Sequence, residues 1–89
     1  MASEAPVALK GELSFATVQG LLVRADELAA SGAIDLGGVT RTDSAGLALL
    51  LELSRRCQAR GVELKLRGAD RRVLELARFF GLEGILHFE

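Results

Sequence analysis

Two periods alternate along this chain, and together they leave few folds open to it. Val7, Leu9, Gly11 and Leu13 alternate with Ala8, Lys10 and Glu12, the two-residue period of a strand. Val18, Leu21, Leu22, Ala25, Leu28 and Ala29 then recur at the three- and four-residue steps of one helix stripe. Ser14 or Thr17 can cap that helix and Gly32 ends it. Ala33 to Leu36 is a short apolar strand, after which Gly37 and Gly38 loosen the chain. A second helix is predicted over Ser44 to Ala59, stopped by Gly61. Val62 to Leu66 alternates again, as a strand with one wet face. Asp70 caps a third helix with Val73, Leu76, Ala77 and Phe80 on its stripe and Gly81 at its end, and Ile85 to Phe88 adds a terminal edge strand. Strands alternating with helices predict right-handed βαβ units. The expected fold is α/β, a mixed but mostly parallel sheet packed with about three helices, and 89 residues make it one domain.

Composition closes several functional classes. Hydrophobic residues reach 49%, enough for a core. The formal net charge of −1 gives no basic field for nucleic acid, and four phenylalanines leave little to stack on bases. The first 45 residues hold three Lys/Arg against six Asp/Glu and the remainder eight against six, a split too mild to name a partner. One cysteine fits a reducing compartment. The first residues lack the charged start and apolar run of a signal peptide, and no apolar run approaches the ~20 residues of a membrane span. A cytoplasmic protein is expected, with residues 1–6 as a disordered tail and 7–89 as the domain.

In parallel α/β folds function gathers where a strand ends and a helix begins. Here that corner is Arg41, Thr42, Asp43, Ser44, Ala45 and Gly46. Asp43 or Ser44 is expected to cap the helix, and Asp43 complements its positive end. Gly46 is costly in a helix, so it is read as permitting close backbone approach, to the sheet or to a partner. Neither the P-loop lysine nor Gly-x-Gly-x-x-Gly is present, which argues against nucleotide binding. Catalysis lacks its groups. The single histidine, His87, lies at the chain's end, and Cys57 falls on the core stripe, so neither a metal cluster nor a Cys-His pair is visible. No cofactor and no metal are expected. The pairs Arg55-Arg56 and Arg71-Arg72 read as solvated faces.

The second helix carries an unbroken apolar run, Leu47 to Leu51. At 100° per residue, Leu47, Leu50, Leu51, Ser54 and Cys57 face the sheet. Leu49 falls on the far side with Ala45, Glu52, Arg56 and Arg60, and is expected to be an exposed interface residue.

These residues carry a resemblance. Gly11-Glu12-Leu13 after a strand, the strand Ile34-Asp35-Leu36, the helix opening Asp43-Ser44-Ala45-Gly46-Leu47 and the tail Leu76-Ala77-Arg78-Phe79-Phe80-Gly81-Leu82 resemble the STAS domain, from Val7 to Phe88. The resemblance implies a small α/β fold that acts by binding proteins rather than by catalysis. Gly46 to Leu53 looks most like the cytoplasmic STAS subunit of the Mla phospholipid-transport ABC complex. That branch implies that the corner hydroxyl, Ser44, contacts the ATPase subunit; with the corner residues Thr42 and Asp43 and the helix face of Ala45, Leu49, Glu52 and Arg56, it makes the expected partner surface. The branch also implies association with the inner membrane only through the complex, and no small-molecule substrate or nucleic acid of its own. The alternative branch is the anti-sigma factor antagonists, whose kinase partner phosphorylates the serine matching Ser44. Those proteins usually carry an aspartate where this chain has Ser14.

Overall fold

Every strand of the sheet runs the same way. The computed structural model describes residues 6–89; the expected tail, residues 1–6, lies but for Pro6 outside the described residues. The order along the chain is β1 (Val7–Leu13), α1 (Val18–Leu22), α2 (Ala25–Ala30), β2 (Ala33–Thr42), α3 (Ser44–Ala59), β3 (Lys65–Arg67), α4 (Arg71–Phe79) and β4 (His87–Phe88). The spatial order is β1-β2-β3-β4 with three parallel pairings, so the expected mixed sheet is wholly parallel. Each crossover steps one strand in the same direction, and right-handed crossovers then put all the helices on one face. Burial agrees. Leu9, Leu13, Ile34, Leu36 and Leu66 are buried, while Ala8, Lys10, Glu12, Lys65 and Arg67 on alternate positions are exposed. A parallel sheet usually has both faces covered and reads as continuous apolar runs. This one is covered on one side, which is why β1 and β3 alternate so plainly.

The departures from the sequence reading have local causes. The first predicted helix breaks at Val23 and Arg24 into α1 and α2, where Gly20 and the β-branched Val23 weaken helix propensity. Among the described residues four helices therefore stand where about three were expected. β2 continues through Gly37 and Gly38 to Thr42, with register shifts against β1 that absorb the extra residues. β3 begins only at Lys65, leaving Val62 and Glu63 exposed before it, and the terminal strand is confined to His87–Phe88. The helix stops hold. Gly32, Gly61 and Gly81 follow α2, α3 and α4 with φ of 74°, 75° and 73°.

α3 is the axis of the fold. It packs on β1 and β2 on one side and on α1 and α2 on another. Its buried arc holds Leu47, Leu49, Leu50, Leu53, Ser54 and Cys57, and Leu51 is half-buried at the edge. Leu49 is therefore not the outward residue that the helix period placed on the surface. It is 4% exposed and part of the core, because α1 and α2 cover that side of α3. Leucine lies on both flanks of the helix because both flanks are packed. Cys57 is buried and its thiol points to the Ala29 carbonyl oxygen, 3.2 Å away on α2; burial pushes it up from the usual thiol value, so it stays protonated and inert.

Candidate functional site

The corner after β2 is built around one carboxylate. Asp43 is the N-cap of α3, and its Oδ1 accepts from the Gly46 amide at 3.1 Å. Its Oδ2 accepts from the Phe15 amide at 3.0 Å, so the same side chain pins the β1–α1 loop to the start of α3. Asp43 N–H donates to the Leu13 carbonyl, closing the contact from the other direction. The Phe15 amide first and the Gly46 amide second hold the Asp43 carboxyl below the usual carboxylate value.

That depression sets a pH dependence. The folded carboxyl releases its proton at lower pH than the unfolded one, so its contribution is complete above the usual carboxylate range. It is lost as pH falls toward the folded value. Asp43→Asn is expected to lower the urea midpoint at neutral pH and to flatten its fall between neutrality and acid. Urea titrations at a series of pH values check this, and parallel curves for the two proteins would contradict it.

Ser44 is the first residue of α3 and does not cap it. Its side chain is exposed, and its hydroxyl has no hydrogen-bond partner among the described residues. Phe15 stands 83% exposed in the loop that Asp43 holds. Ser14 is buried and its hydroxyl donates to Glu12 Oε1 at 2.9 Å.

Below the corner, a groove of about 430 Å³ runs between α1 and α3. Val18 and Leu22 form one wall, Ala45 and Ala48 the other, with Leu49 in the floor and Glu52 and Arg56 at the far end. Four of the expected site residues, Ala45, Leu49, Glu52 and Arg56, thus meet in one place. Asp43 and Ser44 flank its head. Thr42 does not join them. It faces a separate cleft of about 80 Å³ with Arg41, Asp70 and Arg72, and its Oγ1 is buried without a partner among the described residues.

Arg56, one of the expected contact residues, is already paired within the domain. Its Nε donates to Glu52 at 2.8 Å and its Nη1 to Asp26 at 2.9 Å, tying α3 to α2, while Arg55 reaches Glu52 from the other side. Arg56 first, then Arg55, keeps the Glu52 carboxyl below its usual value. Sequence reasoning missed Phe15, Leu22 and Ala48. The core stripe that includes Leu22 assumes one unbroken helix. The signal for Phe15 is a lone aromatic in a polar loop beside two possible caps, Ser14 and Thr17.

Among the described residues no three His, Cys, Asp or Glu side chains gather as metal ligands, and no helix is long and apolar enough to cross a membrane. The site offers a small free hydroxyl, an exposed aromatic and an apolar groove, the materials of a protein contact. A family model described as "Mlab, STAS domain" matches residues 2–87 of the chain. No curated protein matches it.

Proposed function

Because the chain belongs to the STAS-domain family, we propose that it is a non-catalytic binding subunit that docks the ATPase of an Mla-type ABC transporter through the Ser44 corner and the α1–α3 groove. In that role it supports phospholipid movement that maintains outer-membrane lipid asymmetry, and it sits in the cytoplasm against the inner membrane through its complex. The observation that carries the reading is the groove itself. A free hydroxyl and small side chains let a partner approach closely, and exposed Phe15 and Leu22 supply apolar area beside them.

Leu22 is the probe of choice, being 44% exposed on the groove wall. Leu22→Asp puts an unpaired charge into the contact, and a lost hot spot costs about 2 kcal/mol, near thirtyfold in affinity. Co-purification with the ATPase is expected to fail while the melting temperature stays close to wild type. Wild-type binding by this variant would move the contact elsewhere.

The second reading, an anti-sigma factor antagonist, is favoured by one feature, the solvent-open hydroxyl of Ser44. A phosphate there would meet the ionised Asp43 next to it, and Ser14 stands where phospho-regulated relatives usually carry an aspartate. Protein from its own cell is therefore expected to show the unmodified intact mass. A dominant species heavier by one phosphoryl group would reverse the two readings.

A further inference from the structure

The α1–α3 groove does not end where Glu52 and Arg56 close it. A second groove of about 460 Å³ begins on the other side of Arg56, between α2 and the last turns of α3, over Ala29, Ala30, Ala59 and Arg60. Arg56 borders both. On α3 the shared side is one helical face. Ala45, Ala48, Glu52, Arg56 and Ala59 follow at steps of three and four, about 21 Å at 1.5 Å per residue.

Resting on the docking reading above, we propose that the partner occupies this whole seam with a single amphipathic helix of about four turns. That helix is apolar over the first groove, polar at its middle and acidic where it meets Arg60. Each part of the pattern has its cause on the surface. Two grooves that share Arg56 and follow one face of α3 suit a third helix, a common mode of peptide recognition. Ala45, Ala48, Ala59 and the alanines of α2 allow its axis to come close. Val18 and Leu22 ask for apolar side chains at one end. At the midpoint the Asp26–Arg56–Glu52 ion pairs bridge the seam, and an apolar side chain laid there would strip water from three charges. At the far end Arg60 is exposed and makes no ion pair among the described residues, so the cation that is free to receive a carboxylate lies there.

The test is a titration of the purified ATPase against the full chain and three variants, at low and high salt, each with a thermal melt. Ala48→Trp fills the first groove, Ala59→Trp fills the second, and Arg60→Glu reverses the charge at the end; all three positions are exposed. Each is expected to weaken binding tenfold or more, and Arg60→Glu to remove most of the salt dependence. If Ala48→Trp weakens binding while Ala59→Trp and Arg60→Glu bind as wild type, the docking reading stands and the full-length seam is overturned. If all three bind as wild type, the seam is not the contact. If the wild-type chain does not bind the ATPase, the docking reading fails and this proposal with it. Should Ala59→Trp fail to fold, Arg60→Glu decides alone.

Discussion

Gly46→Ala is expected to lower the stability of this domain by about 2–3 kcal/mol, a fall in melting temperature of about 10–20 °C for a chain of this size. In an exposed helix the same change stabilises by up to about 1 kcal/mol, so the sign itself is the result to look for. A Cβ at position 46 would lie 2.0 Å from the Leu13 carbonyl oxygen and 2.8 Å from its carbon. Both are backbone atoms at the end of β1, and neither can swing aside. Relief requires the head of α3 to lift from the sheet by more than an ångström. That would pull Asp43 away from Leu13 and Phe15 and open the corner that presents Ser44. Gly20→Ala is the matching control. Nothing lies within 4 Å of a Cβ there, and the residue sits exposed in α1. It is expected to raise the melting temperature by a few degrees. Melts of the two variants side by side decide the matter, and a Gly46→Ala protein as stable as wild type would mean that α3 does not start against β1.

The contrast between these glycines shows how far a sequence carries. That Gly46 permits a close approach is readable from its cost in a helix, but whether to the sheet or to a partner is not. The answer lies in a residue 33 positions away. The caps and stops read well for the opposite reason, since each is a local contract. Asp70 accepts from the Val73 amide three residues on, and Gly61 closes α3 two residues past its last turn. Core and surface on α3 read well only on the side that faces the sheet. A helical period reports how many faces a helix has, but not how many of them another element will cover. Leu49, and with it part of the candidate site, was legible only once α1 and α2 were in place. The groove shares that fate. Val18 and Leu22 belong to α1 and Ala45 and Ala48 to α3, and no spacing along the chain joins them.

Leu49→Asp is the substitution that separates these two accounts of α3 most sharply. If Leu49 were an outward interface residue, the change would spare the fold and abolish docking. The structure requires the reverse order of damage. Leu49 is 4% exposed and belongs to the core cluster, so truncation to alanine alone is expected to cost about 3 kcal/mol. Aspartate adds a charge placed among apolar side chains, one turn from the ionised Glu52, which repels it. A combined loss on the order of 5 kcal/mol reaches the lower end of what small domains possess, so the variant is expected to be largely unfolded at 25 °C. Ala48→Asp, one residue earlier and exposed, is expected to keep the wild-type unfolding free energy within about 0.5 kcal/mol. A cooperative Leu49→Asp transition at the wild-type midpoint would return Leu49 to the surface and take the α1–α3 packing with it. The pair also fixes how docking experiments on this helix are to be read. Binding lost in Leu49→Asp reports a missing domain, whereas binding lost at Ala48 or Leu22 reports a blocked groove.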